Sequence, residues 1–196
     1  YPEGECHVDY FSPVICKFNK SEERMNYLLN EVPWEQKTVN MYGKLVKQRR
    51  LTCVFGEEGL NYNYSGTKNK ALGWDPVVLD IKTEVEDILE AAGLNGCIYN
   101  FCLLNLYRHG EDNVGEHSDN EKDIDPTAGI ASVSFGAPRD IVFKRHDGKT
   151  VTKSLESGSL LYMSGLTQLC YKHSIPTRRK VKEPRVNLTF RRIMID

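Results

Sequence analysis

Three residues of this sequence have the side chains and the spacing of a metal site. His117 and Asp119 lie two positions apart, so an extended backbone would place both on one side. His173 lies far downstream in a second short polar stretch. Two imidazoles and one carboxylate can bind one face of a ferrous ion and leave the opposite face open for chemistry. By itself the pair is a weak signal, because a histidine and an aspartate at this spacing also arise by chance.

The last apolar stretch of the chain carries a polar face. Residues 184–191 are rich in β-branched and aromatic side chains, which indicates a strand. Alternate residues of a strand share a face, which groups Arg185, Asn187, Thr189 and Arg191. Two arginines are ordinary on a face that meets water, but inside a barrel they require an anion. Since they would lie about 20 Å apart, we expect them to serve opposite ends of a ligand such as a dicarboxylate.

The elements that must position these residues divide the chain near residue 96. Two helices precede it: one begins near Ser21 and ends at residues 33–34, and the other has Asp75 as N-cap, Pro76 at its first position and Gly93 as its stop. Strands are predicted at 14–16, 50–55 and 60–64. Short strands then follow near 98–107, 116–118, 130–135, 140–145, 151–155, 159–163, 170–174 and 184–195, with a hairpin at 147–148. This pattern predicts a sandwich or barrel of jelly-roll type.

Composition limits the classes of protein to consider. The chain has 196 residues and a formal net charge of −1, so no global basic field draws it to nucleic acid. Two local runs are nevertheless basic: Lys44, Lys47, Arg49 and Arg50, and Arg178, Arg179, Lys180 and Lys182. The six cysteines form no C-x-x-C motif, and we expect reduced thiols in a nuclear or cytoplasmic protein. No apolar run is long enough to predict a membrane span or a signal peptide.

Several motifs taken together resemble the AlkB family of iron- and 2-oxoglutarate-dependent dioxygenases, and most closely its animal DNA-repair homologues two and three. The similarity extends from about residue 10 to the end of the sequence. The motifs that carry it are Asn105-Leu106-Tyr107-Arg108, His117-Ser118-Asp119, residues 130–137, His173-Ser174-Ile175-Pro176 and residues 184–191. Residues 32–34, 50–52 and 62–65 are similar to the N-terminal substrate lid of those members.

The resemblance implies a fold and a set of cofactors. The fold is α+β, mainly β: a double-stranded β-helix (jelly-roll) core at about residues 96–196, with helices that buttress it and a nucleotide-recognition lid at about 1–95, in one catalytic domain. His117, Asp119 and His173 take the positions of the catalytic iron ligands. Binding of 2-oxoglutarate is assigned to Asn105, Tyr107, Arg185, Asn187, Thr189 and Arg191. The reaction requires Fe(II), 2-oxoglutarate as co-substrate and O₂.

The resemblance also implies an activity. It is oxidative demethylation of alkylated bases in DNA, of the 1-methyladenine and 3-methylcytosine type, which is direct-reversal repair. The products are formaldehyde, succinate and CO₂ beside the repaired base. The methyl group lies on the pairing edge, so the base must be flipped out or single-stranded. We expect a monomer that acts on alkylated DNA in the nucleus, and also in the cytoplasm, without a membrane.

Six residues are candidates for contact with the substrate. Tyr62 and Tyr64 share a strand face and could stack on a base, or could simply pack in the sheet. Tyr42 matches the family position that wedges into the base stack. Arg50 belongs to the basic run that could hold phosphates. Asn120 and Glu121 follow the ligand Asp119, and Asn120 replaces a family aspartate, which should weaken the preference for cationic bases.

Other functions remain open at this stage. An RNA demethylase of the same family would use the same residues. An oxygenase acting on protein or a small molecule would keep the metal site but would not need the basic lid and the paired tyrosines. A catalytically silent nucleic-acid-binding module would not need to keep three metal ligands.

Overall fold

The fold is described from a computed structural model that places residues 5–12, 14–15, 20–41, 43–64, 67–94 and 98–194; for 40–41, 61–64 and 67–69 only the backbone is described. The elements in chain order are β1 (Cys6–Phe11), α1 (Lys20–Glu31), β2 (Thr38–Met41), β3 (Lys44–Lys47), β4 (Leu51–Gly56), β5 (Asn61–Tyr64), β6 (Thr67–Lys70), α2 (Pro76–Ala91), β7 (Phe101–Tyr107), β8 (Val114–His117), β9 (Ile130–Gly136), β10 (Arg139–Arg145), β11 (Thr150–Leu155), β12 (Ser159–Gly165), α3 (Thr167–Cys170), β13 (Tyr171–Ile175) and β14 (Arg185–Arg191).

Two antiparallel sheets form the body of the molecule. The major sheet has the strand order β1-β12-β9-β14-β7-β4, and the minor sheet has the order β11-β10-β13-β8. The chain crosses between the sheets along residues 101–191, as the jelly-roll prediction requires. The major sheet also takes β1 and β4 from the N-terminal part, so the core extends back before residue 96. Two separate hairpins, β2-β3 and β5-β6, lie in the region predicted to form the lid.

The two long helices cover one face of the major sheet. Leu28 of α1 and Val78, Ile81 and Val85 of α2 are fully buried in a cluster with the apolar side chains of β7, β9 and β14. Arg24, itself buried, joins the helices through ion pairs with Asp80 and Glu84. Because this side of β14 packs on helices, its opposite side must face the minor sheet. In the part of the chain that is described, no helix is both long and apolar enough to cross a membrane.

Two of the six cysteines meet in the fold. Cys6 and Cys170 lie side by side, with their Cα atoms 7.0 Å apart, although they are separated by 164 positions. The physical reason is topological: β1 pairs with β12, and α3 follows β12 directly, so the two cysteines meet at one sheet edge. Cys53 and Cys102 are free and buried, as expected, and burial raises the pKa of Cys53 to about 11. Cys16 and Cys97 lie outside the described residues.

Some predicted element boundaries also require correction. Val14 and Ile15 are not in a strand, because their N–H groups both donate to Gly158 O at 3.0 Å instead of joining a ladder. The last strand ends at Arg191, not near residue 195. The strands β1, β2, β3 and β6 and the short helix α3 were not predicted, because each is short and gives few repeats of any pattern.

The prediction that Asp75 caps the N-terminus of α2 can be tested by substitution. Asp75 Oδ1 accepts hydrogen bonds from Val77 N at 2.9 Å and Val78 N at 3.1 Å, and its Oδ2 accepts one from Tyr27 Oη. We expect Asp75→Ala to lower the free energy of unfolding by about 1–2 kcal/mol, because two helix donors lose their acceptor. Urea unfolding measures this. Asp87→Ala, on the exposed face of the same helix, is the control and should change stability by under about 0.5 kcal/mol. Equal losses in both variants would contradict the capping role.

Candidate active site

Pairing between β8 and β13 brings the predicted metal ligands together. His117 lies directly opposite His173 in the minor sheet, and their ring centroids are 4.3 Å apart. Asp119, two residues beyond the end of β8, turns its carboxylate towards both rings: its oxygens lie 3.7 Å from His117 Nε2 and 4.0 Å from His173 Nε2. One ligand atom from each residue falls within 4.8 Å of the others. The structure therefore assembles the three predicted residues into one site.

The chemistry of this set fits a divalent metal ion. The Nδ1 of His117 lies 2.9 Å from Gly115 O, which suits donation from Nδ1 and leaves the Nε2 lone pair for a ligand. Burial lowers the pKa of His173 to about 4, although Asp119 opposes the shift, so its imidazole is neutral near pH 7. Asp119 Oδ1 is buried and has no hydrogen-bond partner among the described residues. A neutral imidazole and an unshared carboxylate oxygen are what a metal requires of its ligands.

The carboxylate of Asp119 is kept ionised by its surroundings. Burial acts to raise its pKa, but Arg191 and the two histidines outweigh that effect and lower the pKa of Asp119 to about 2. The Nη2 of Arg191 donates to Asp119 Oδ2 at 2.9 Å, and the exposed fractions of the two side chains are only 3% and 2%. This buried ion pair neutralises one of the arginines of β14 without any ligand.

The polar face of β14 points into the space between the two sheets. This is the orientation in which its two arginines, according to the sequence analysis, require an anion. All seven residues of the strand are buried. A single cavity is lined by the metal triad and by every residue predicted to bind 2-oxoglutarate: Asn105, Tyr107, Arg185, Asn187, Thr189 and Arg191. Asn187 is the centre of the polar network, because it donates to Ser132 Oγ at 2.8 Å and accepts from Thr189 Oγ1 at 3.0 Å.

Among the described residues, the second arginine of β14 has no carboxylate partner. Arg185 is 1% exposed and donates through Nη2 to Ser134 Oγ at 2.9 Å. Its Nε and Nη1 are buried and meet no hydrogen-bond acceptor within the described ranges. Its guanidinium lies 5.2 Å from the centre of the Tyr107 ring. Burial lowers the pKa of Arg185 to about 10, so the group still carries its charge near pH 7. A buried cation whose donors lack acceptors among the described residues can bind an anion.

The predicted substrate residues are divided among three places. Arg50 is buried in the cavity of the triad, where its Nε donates to Asn105 Oδ1 at 2.7 Å. Asn120 and Glu121 line a second cavity of about 300 Å³, which shares Asp119 and Met163 with the first. Tyr62 and Tyr64 lie on β5, but their side chains are outside the description, and Tyr42 is outside the described residues altogether.

Three residues of the site were not assigned a role from the sequence. Ser132 and Ser134 hold Asn187 and Arg185, and the sequence does contain a signal for them: they alternate on one face of an otherwise apolar strand. Gln168 accepts a hydrogen bond from Asp119 N at 2.9 Å. It lies on a four-residue helix, for which local sequence offers no signal.

The chain is similar to known proteins over most of its length. Residues 8–191 match the family model described as the 2OG-Fe(II) oxygenase superfamily. Human DNA oxidative demethylase ALKBH2 is 37% identical over 187 residues, which cover 91% of this chain and 68% of that protein. Human alpha-ketoglutarate-dependent dioxygenase alkB homolog 3 is 36% identical over 206 aligned positions, which cover 100% of this chain and 69% of that protein. The chain spans between 63% and 74% of the length of such relatives.

A solved structure supports the fold independently. The structure of OsALKBH1 superposes with a TM-score of 0.65 at 13% identity, and the match covers 96% of this chain and 97% of that one. At this identity the likeness concerns the fold alone. Together with the family match, it confirms the predicted jelly-roll core and the resemblance inferred from the motifs.

Substitution of Arg185 gives a direct test of whether this cavity binds 2-oxoglutarate. We expect Arg185→Met to weaken binding of 2-oxoglutarate at least about tenfold, because loss of a buried charge partner costs about 2–5 kcal/mol. Calorimetric titration of the protein loaded with Mn(II) measures this affinity. Without ligand, the variant should be as stable as the parent or more so, since an uncompensated buried charge is removed. Arg145→Met, on the exposed end of β10, is the control. Unchanged affinity in Arg185→Met would exclude it from the co-substrate site.

Proposed function

The chain belongs to the 2OG-Fe(II) oxygenase superfamily, and we propose that it is an oxidative demethylase that removes N-linked methyl groups from alkylated bases in DNA, of the 1-methyladenine and 3-methylcytosine type. Enzymes of this family use Fe(II), 2-oxoglutarate and O₂. The observation that carries the proposal is the pair of cavities that meet at Asp119: one is polar and cationic, and the other opens beside Asn120 and Glu121. Relatives named DNA oxidative demethylase support the choice of substrate.

Each residue of the first cavity has a role in this proposal. His117, Asp119 and His173 would hold the iron, which together with 2-oxoglutarate supplies O₂ activation for hydroxylation of the methyl group. Arg185 would bind the carboxylate of 2-oxoglutarate that is remote from the metal, because its Nε and Nη1 have no acceptor within the described ranges. Arg191 would orient Asp119 and serve the end near the metal. In this proposal the two arginines would serve opposite ends of 2-oxoglutarate, which is the expectation drawn from their spacing.

The polar network between these arginines would position the co-substrate. Asn105 accepts from Arg50 and donates to Asn187 Oδ1 at 3.3 Å, so its amide is held from both sides. The ring centre of Tyr107 is 5.2 Å from the guanidinium group of Arg185 and 5.5 Å from that of Arg139. These side chains are buried, so the reaction would take place away from bulk water, where charge interactions are stronger.

The second cavity is suited to a cationic base. Its volume of about 300 Å³ is within the range of ligand pockets, and its walls include Ile124, Ile130 and Met163. Glu121 Oε2 is buried in it without a hydrogen-bond partner in the described structure. A carboxylate oxygen in this position can accept an N–H from the exocyclic amine of adenine or cytosine, and its charge favours a methylated base that carries a positive charge.

Two basic segments would hold the sugar–phosphate backbone near this end of the molecule. Arg49 O accepts from Asn113 N, and Arg178 N donates to Gly110 O, so both segments rest on the loop that leads into β8 and His117. Their exposed members are Lys44, Lys47, Arg49, Arg179, Lys180 and Lys182. Exposed cations on one side of a site neutralise phosphates without reading the base sequence.

We propose that the enzyme acts as a monomer on DNA in the nucleus, and also in the cytoplasm.

A demethylation panel tests the proposed function. Oligonucleotides with 1-methyladenine or 3-methylcytosine, in single- and double-stranded DNA and in RNA, are incubated with the protein, Fe(II), 2-oxoglutarate and O₂. We expect one formaldehyde and one succinate for each base repaired in DNA. His117→Ala and Asp119→Ala should lose turnover while circular dichroism stays unchanged. Repair of RNA alone would redirect the proposal to RNA, and succinate without repair of any oligonucleotide would refute it.

The residue after the ligand aspartate predicts a change in lesion choice. Asn120 is exposed at the second cavity, and Asn120→Asp would place a second carboxylate beside Glu121. An added surface charge contributes up to about 1 kcal/mol, so we expect repair of cationic 1-methyladenine relative to neutral 3-methylthymine to rise about fivefold. Competition between the two lesions in one reaction measures the ratio. Asn26→Asp on the exposed face of α1 is the matched control. An identical lesion profile would show that Asn120 takes no part.

A further inference from the structure

One hydrogen bond connects Asp119, the aspartate of the candidate metal site, to α3, a helix that has no role in the proposed function. The backbone N–H of Asp119 donates to Gln168 Oε1 at 2.9 Å. An N–H can donate only to the oxygen of an amide side chain, which fixes the orientation of the Gln168 amide. The opposite end of that amide donates to Met163 Sδ at 3.5 Å. Gln168 therefore contacts a metal ligand on one side and a wall of both cavities on the other.

The helix that carries Gln168 is anchored to the N-terminal strand. Leu166 N donates to Glu5 O at 3.1 Å. The hydroxyl of Thr167, a residue that is 1% exposed, lies 2.9 Å from His7 O and 2.6 Å from Ser164 O. Gly165 has φ +58°, and a Cβ there would meet Glu5 O at 2.3 Å, so only glycine permits this close approach of β1. α3 is thus held against β1 and β12 from several directions.

The loop that carries Asp119 needs such a support. Asp119 lies beyond the end of β8, and residues 118–129 contain no helix or strand, only an isolated bridge between Ile124 and Ile193. Arg191 orients the carboxylate, and the bridge lies further along the loop, so neither contact holds the backbone of Asp119 itself. Ser118 Oγ donates to Tyr171 O at 2.9 Å, so the loop makes a second contact with the chain that continues from α3. Both contacts join the metal-binding loop to the segment 167–171.

We propose that Gln168 is a positioning residue for the metal site: its amide holds the backbone of Asp119 so that the carboxylate meets His117 and His173, and it directs Asn120 and Glu121 into the second cavity. Groups that orient metal ligands without touching the metal typically change metal affinity or activity by about 10–100-fold when removed. The proposal rests on the iron site of the family and on no particular substrate. It can therefore fail or succeed independently of the demethylase assignment.

Metal binding without turnover tests the proposal. Gln168→Leu keeps the size of the side chain but removes the acceptor, and Gln168→Glu keeps an oxygen where Oε1 now lies. We expect Gln168→Leu to weaken binding of Mn(II) to the metal-free protein about 10–100-fold. Gln168→Glu should stay within a few-fold of the parent. Calorimetry without nucleic acid gives the affinities, and the absorption spectrum of bound Co(II) reports the ligand geometry. Leu169→Ala, exposed on the same helix, is the control.

Thermal unfolding separates positioning from a general structural role. Each variant is melted without metal, and a melting temperature close to that of the parent with weakened Mn(II) binding in Gln168→Leu supports the proposal. If Gln168→Leu does not fold, Gln168→Asn, which shortens the amide by one methylene, takes its place in the same comparison and should also bind Mn(II) more weakly. The proposal would be overturned if the Gln168→Leu or Gln168→Asn variant bound Mn(II) as tightly as the parent. It would also be overturned if Gln168→Glu and Leu169→Ala lost as much Mn(II) affinity as that variant.

Discussion

The structure depends on one constraint: positive charge is buried in the interior face of its most enclosed strand. β14 lies between β9 and β7, and every one of its residues is buried. Two guanidinium groups in such a place would oppose folding unless each met a partner. Arg191 meets Asp119, whereas the contacts of Arg185 in the described part of the chain are with hydroxyl and aromatic groups. The incomplete compensation at Arg185 would be the physical basis for binding a dicarboxylate, as proposed above.

Hydrophobic packing elsewhere in the fold offsets the cost of burying the two arginines. The apolar side of β14, with Val186, Leu188 and Phe190, packs fully buried in a cluster with α1 and α2. That side supplies the hydrophobic stabilisation, so the other side can be used for chemistry. The N-terminal part of the chain is therefore not an appendage to the jelly roll. It supplies the helices that cover the major sheet, and its strands β1 and β4 complete the edges.

The site joins the two sheets in a defined order. The major sheet contributes the arginines and the amide network, and the minor sheet contributes His117 and His173. Asp119 links the two through its ion pair with Arg191, and it borders both cavities. Displacement of the Asp119 backbone would alter the metal site and the walls of both cavities, and its hydrogen bond to Gln168 of α3 would limit such displacement under the proposed positioning role.

The sequence by itself determined the local features, because each depends on neighbours within a few positions. The alternating faces of β14, the cap at Asp75, the ligand types at His117, Asp119 and His173, and most strands after residue 98 follow from periodicity and side-chain chemistry. Only the tertiary structure decided which face of β14 turned inward, and that Arg191 would be paired while Arg185 was not. It also decided the proximity of Cys6 to Cys170 and the contact of Gln168 with Asp119. Those features depend on the order in which remote strands pair, which no short window of sequence records.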